Sequence, residues 1–140
     1  MQTPSNIARP ALLSRVLLID AAATGASALL MCLAASPLAA LTELPEGLLR
    51  GVGVALLPFA AWLARLGLGR GLTRATGWAV VVSNGLYALA CLLALMAGWV
   101  PMNGLGAAFL AVQGVVVFAF AGTGALALGD RTRAVAASRP

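Results

Sequence analysis

The chain contains no histidine. That excludes a histidine-ligated haem, any metal site that needs an imidazole, and Ser-His-Asp or Cys-His nucleophiles. There are four acidic residues, Asp20, Glu43, Glu46 and Asp130, scattered along the sequence and divided between the two membrane faces in a four-span topology. Paired carboxylates for acid–base chemistry are therefore missing. The two cysteines, Cys32 and Cys91, form no CxxC pair, which argues against thiol-oxidase chemistry. Each reads as a small buried apolar residue, and a disulfide between them stays open because both fall toward the outer face. No glycine-rich loop follows a strand, so dinucleotide and nucleotide motifs are absent. A non-enzymatic protein is expected, with no catalytic residues, no cofactor and no metal ligands.

Charge is scarce as well. Of 140 residues, 61% are hydrophobic and 9% charged, and the mean hydropathy is +0.99. A water-soluble domain carries about 25% charged residues to cover its surface, so lipid is the natural solvent here. Four apolar segments, near 12–35, 47–66, 75–98 and 104–128, each approach the roughly 20 residues needed to cross a bilayer. They fill most of the chain as one membrane domain. The expected fold is all-α, an antiparallel bundle of four transmembrane helices.

The net charge of +5 would suit nucleic acid if the arginines were clustered, but their placement points to a membrane. Arg9 and Arg15 precede the first segment, Arg65, Arg70 and Arg74 separate the second and third, and Arg131, Arg133 and Arg139 follow the fourth. Only Arg50 falls on the other side. This is the positive-inside bias for four spans with both termini in the cytoplasm, and it implies a bacterial inner membrane, with the bilayer rather than nucleic acid as partner. A cleaved signal peptide ending near "LAASPLAA" is the competing reading. The apolar run is too long for a typical signal core, and Asp20 lies within it.

The connections can also be read from the residues. Residues 1–10 are polar and are expected to lack fixed structure. Ser36 and Pro37 suit an N-cap and first helical position, opening a short helix on the outer surface with Leu38, Leu41 and Leu44 at a spacing of three. Pro45 opens the second span, where Glu46 and Arg50 form an i,i+4 pair. Pro58 lies inside that span and withdraws a hydrogen bond from the Val54 carbonyl, so a kink is expected. The glycine-rich, basic linker "RLGLGRGLTR" suits a tight turn at anionic headgroups, making spans two and three neighbours. Trp62, Trp78 and Trp99 fall where indole rings prefer the interface. Asn103 is placed to cap the fourth span, and the tail after Leu128 returns to water. Small residues such as Gly25, Gly77, Gly106 and Gly114 allow close helix packing.

Against this background the polar residues inside the spans stand out. Counting ~1.5 Å per residue from the cytoplasmic edge puts Asp20 about 6 Å deep, Thr24 about 12 Å and Ser27 about 16 Å. Steps of four and three keep all three on one helix face. Asn84 and Tyr87 come out about 10 and 15 Å deep on the third span, and Gln113 about 20 Å deep on the fourth. The carbonyl freed by Pro58 falls in the same layer, so every span brings a polar group to it. Arg15 is turned about 140 degrees from Asp20 and snorkels to phosphates instead. An isolated carboxylate in hydrocarbon costs from about 2.5 kcal/mol upward, so Asp20 must either turn inward toward Asn84 or hold a proton.

The runs "LIDAAATGASALLMCLAASPLAALTELPEGLLRGVGVALLPFAAWLA", "WAVVVSNGLYALACLLAL" and "GAAFLAVQGVVV" resemble a family of small, uncharacterised four-span integral membrane proteins of bacteria, across nearly all of residues 12–120. The resemblance implies a fold and a location, and it puts Asp20, Pro58, Asn84 and Gln113 at the family's polar positions. A weaker likeness to small multidrug-resistance transporters rests on four spans and an acidic residue in the first. Here that residue is aspartate rather than glutamate, sits shallower, and lacks the surrounding aromatics. Two readings compete. In one, the polar layer is interhelical glue in a structural or accessory membrane protein, or a face completed by another subunit of a larger complex. In the other, Asp20, Thr24, Ser27, Asn84, Tyr87 and Gln113 enclose a cavity of a proton-coupled transporter or a small-ligand or lipid-binding protein, homodimeric in the transporter case, with Asp20 as the proton or cation site.

Overall fold

Four long apolar runs each satisfy their backbone internally, as lipid requires. In the computed structural model, which describes residues 11–137 and side chains from 12 to 129, they become α1 (Ala11–Leu33), α3 (Glu46–Gly67), α4 (Arg74–Ala97) and α5 (Gly104–Ala137), with a short α2 (Ala35–Thr42) after the first. Among the described residues there is no strand. Stretches of all four long helices are long and apolar enough to cross a bilayer. The chain is a multi-pass membrane protein. Large side chains such as Leu33, Met96, Leu126 and Phe118 point outward, whereas alanine, glycine and a few leucines fill the interior. The expected disorder of residues 1–10 lies outside the described residues. Beyond Leu128, where the tail is expected to leave the helix, the backbone stays helical to Ala137.

The bundle is two packed pairs, α1 with α3 and α4 with α5, joined mainly where α1 meets α5. Contrary to the expectation from their short linker, α3 and α4 scarcely approach one another. A tight turn places two helices side by side at one end only, and their packing further along depends on the faces they present. At the end carrying that linker, Leu13, Leu17, Leu63, Leu66, Val80 and Leu128 form one apolar cluster. At the opposite end Met31, Ala35, Leu44 and Leu49 form a second. Close approach is concentrated where a side chain would collide: a Cβ at Gly77 would meet Leu128, and one at Gly53 would meet the Cys32 sulfur at 2.8 Å. Cys32 and Cys91 are both free thiols, so the disulfide left open by the sequence is not formed.

Local chemistry explains most boundaries. Thr73 and Thr76 build a reciprocal capping box at the start of α4, after a turn in which Gly69 and Gly71 adopt φ of 81° and 79°, conformations that cost glycine nothing. Ser36 is not the N-cap of α2. The helix begins two residues earlier, at Ala35, capped by Ala34 without a side-chain bond, and the Ser36 hydroxyl instead donates to Glu46 at 2.7 Å. Glu46 also pairs with Arg50 at 2.7 Å, which gives the arginine set apart from the others in sequence a local partner. The expected leucine stripe of α2 also breaks. Glu43 takes a left-handed φ of 58°, ending the helix and turning Leu44 into the core while Leu41 stays exposed.

Asn103 ties the α2 end together. Its amide donates to the Leu41 carbonyl at 2.8 Å, its backbone N–H donates to the Thr42 carbonyl at 3.0 Å, and its side-chain oxygen accepts from the Gly106 N–H at 3.1 Å. It is thus the α5 cap and a strap to α2. Asn103→Ala is expected to lower stability by about 1–2 kcal/mol, read from unfolding midpoints in mixed micelles. Asn103→Asp keeps the capping acceptor and should recover part of that loss. Equal losses for the two variants would show that the cap contributes nothing.

Candidate functional site

The geometry begins at Asp20. Residues 20, 24 and 27 share a face of α1 because steps of four and three nearly close a helical turn. That face is turned inward, and Asp20 is only 2% exposed. The Thr24 hydroxyl, one turn along, donates to one carboxylate oxygen at 3.1 Å. The Asn84 amide of α4 donates to the other at 2.6 Å. The fold turns the Asp20 side chain inward, toward Asn84. Arg15 is exposed and turned away. The Asp20–Asn84 bond joins α1 to α4, two helices whose backbones otherwise stay apart.

Immediately beside this pair, between the two apolar end clusters, the bundle leaves a cavity of about 390 Å³. Thr24 and Ser27 of α1, Ser83, Asn84 and Tyr87 of α4, and Gln113 of α5 all contribute to its wall. Five of the six residues singled out from the sequence therefore line one space, and Asp20 stands just behind, holding Thr24 and Asn84. Sequence reasoning misses Ser83. It is a small residue adjacent to a more conspicuous asparagine, and only its neighbourhood in three dimensions marks it. Tyr87 lies against Cys91, one turn along α4. Ser27, Ser83 and Gln113 make no side-chain hydrogen bond to another described residue, so their donors and acceptors face the cavity.

The α3 wall differs from expectation. It is wholly apolar, formed by Val52, Ala55, Leu56 and Phe59. Pro58 and Val54 are exposed, so the carbonyl freed by the proline belongs to the outward side and does not join the polar layer. Those two residues precede Phe59 and Ala55 by one position each, a rotation of about 100 degrees that takes them off the cavity face. The helix runs through Pro58 without a break. On α5, Val117 and Phe120 continue the apolar wall. The result is an amphipathic space, with hydroxyls and amides on one side and hydrocarbon on the other. Among the described residues that line it, none carries a formal charge.

No family model, curated protein or solved structure matches the chain. The chemistry of the cavity itself is then the guide to what it can do. It offers hydrogen bonds in a medium where water competes poorly, and contact area for a hydrocarbon body. A mostly apolar pocket with a few convergent polar groups is the usual form of a small-molecule site.

Proposed function

We propose that this chain is a non-enzymatic, multi-pass membrane protein that holds a small ligand within the bilayer, in the cavity between its two helix pairs. One observation carries the reading: polar side chains from α1, α4 and α5 converge on a single space of about 390 Å³, and Ser27, Ser83 and Gln113 find no partner in the described chain. Interhelical glue would bring such groups into contact with each other, because in lipid an unmet hydroxyl or amide is costly. The glue reading fits Asp20, Thr24 and Asn84, whose hydrogen bonds are made within the protein. Asp20 is thus a positioning residue that orients two wall residues, in place of the proton or cation site of a transporter. The run of arginines supports a bacterial inner-membrane location with the linker end of the bundle in the cytoplasm.

The test uses the full chain in nanodiscs of phosphatidylcholine and phosphatidylglycerol, with a long-chain alcohol that carries a photoreactive diazirine in mid-chain. After irradiation, adducts are expected on Val52, Leu56 and Phe59 of α3 and on Gln113, Val117 and Phe120 of α5, and excess unlabelled alcohol should compete them away. Val117→Trp, which fills the cavity, should remove these adducts while leaving the helical circular dichroism unchanged. Asp20→Asn retains acceptor and shape, and should keep the site. Adducts spread over the lipid-facing surface and insensitive to competitor would overturn the proposal.

A further inference from the structure

The cavity's walls say what kind of molecule it takes and from which side, an inference that rests on the binding reading. We propose that the occupant is an uncharged amphiphile drawn from the surrounding lipid through the seam between α3 and α5. Charge comes first. No ionised group lines the space among the described residues. The nearest, Asp20, is 2% exposed and has both oxygens engaged by Thr24 and Asn84. A cationic or anionic head would enter a low-dielectric interior with no counter-charge within reach, and bare charge at such depth is strongly disfavoured. Hydroxyls and amides are donors and acceptors at once. They suit the oxygen of an alcohol, ester or ketone, with Ser83, Asn84 and Gln113 on the head and Leu56, Phe59 and Phe120 along the hydrocarbon.

The route is set by how the bundle is closed. At the linker end Leu13, Leu17, Leu63, Leu66, Val80 and Leu128 pack into a plug. At the other end Met31, Leu44 and Leu49 form a second, with Phe109 and Leu110 against them, and Asn103 straps α2 over it. Both aqueous ends are thus stopped with hydrocarbon. The packed pairs α1–α3 and α4–α5 close two sides and the Asp20–Asn84 bond ties α1 to α4, while α3 and α5 do not pack along each other. The cavity residues on either side of this seam are exposed, Ala55 on α3 and Val116 on α5. A molecule already dissolved in the bilayer reaches the seam by lateral diffusion and never crosses water.

Two measurements test this. Diazirine probes with the same chain and a hydroxyl, carboxylate or trimethylammonium head are compared in the nanodiscs. The alcohol should label the cavity walls saturably, and the two charged probes should need at least about tenfold more to reach half-saturation. Similar half-saturation for all three overturns the inference but leaves the binding site standing, whereas no saturable labelling by any probe overturns both. For the route, Tyr87→Trp is placed in a chain with Trp62, Trp78 and Trp99 changed to phenylalanine. Its fluorescence should be quenched by phospholipids brominated in the acyl chain and little affected by aqueous acrylamide. Quenching in the reverse order, or by neither agent, refutes lateral access.

Discussion

Asn84→Leu is expected to destabilise the bundle by about 3 kcal/mol, the upper end of the cost of leaving a buried acceptor without its donor, because the acceptor here is a carboxylate. Two effects compete for the size of this loss. The hydrogen bond from the Asn84 amide to Asp20, 2.6 Å long, is worth little by itself, because interhelical hydrogen bonds in membrane proteins average about 0.6 kcal/mol. The larger contribution comes from the group left behind, a carboxylate 2% exposed whose remaining donor is the Thr24 hydroxyl. The double variant Asp20→Leu/Asn84→Leu removes the stranded group and should recover all but roughly 1 kcal/mol. Unfolding free energies from steric trapping, or midpoints in sodium dodecyl sulfate, give the comparison. Should the double variant be as unstable as the single, the burden would lie in lost packing at the α1–α4 contact rather than in an unpaired charge.

The second large effect is steric. Gly106 lies where α5 passes the end of α2, and a Cβ there would run into the Thr42 carbonyl oxygen and would also sit 2.8 Å from the Met102 Cβ. Neither obstacle is the tip of a flexible side chain that could swing aside. One is backbone, itself accepting the Asn103 N–H, so relief requires moving α5 away from α2. Gly106→Ala is expected to cost about 1–3 kcal/mol and Gly106→Val more. Gly122 is on the same helix, and a Cβ there would have nothing within 4 Å. Gly122→Ala should therefore gain about 0.5–1 kcal/mol from helix propensity alone. The opposite signs separate close packing from intrinsic preference, and thermal unfolding in one detergent suffices to read them. A neutral Gly106→Ala would mean that α2 is loosely held and that this end of the bundle is only weakly closed.

How much of this is legible in the sequence varies with the range of the interaction. The i,i+4 relation of Asp20 to Thr24 comes from helical geometry alone, and so does the Glu46–Arg50 pair. Asn103 as a cap is readable from its place before an apolar run. The partnership of Asp20 with Asn84 is readable in part, because counting rise from the membrane edge places both in one layer. The role of Ser36 is not, since its hydroxyl has two local uses and chooses Glu46, ten residues away, over capping. Pro58 misleads for a related reason: depth says nothing of azimuth, and a 100-degree rotation separates the cavity face from the outside.

By itself, the sequence determined that this protein resides in lipid, that it forms four long helices, and that the polar residues Asp20, Thr24, Ser27, Asn84, Tyr87 and Gln113 occupy the interior layer. Those conclusions rest on solvent transfer and helical period, which each residue reports for itself. Only the tertiary structure decided that α3 stays away from α4, that its wall is apolar, that Ser83 joins the polar side and that a cavity remains between the pairs. In water, apolar faces announce their partners because burial is favoured. In a bilayer the outside is as apolar as the inside, so pairing depends on shape and close approach between helices, and shape exists only once the helices are assembled.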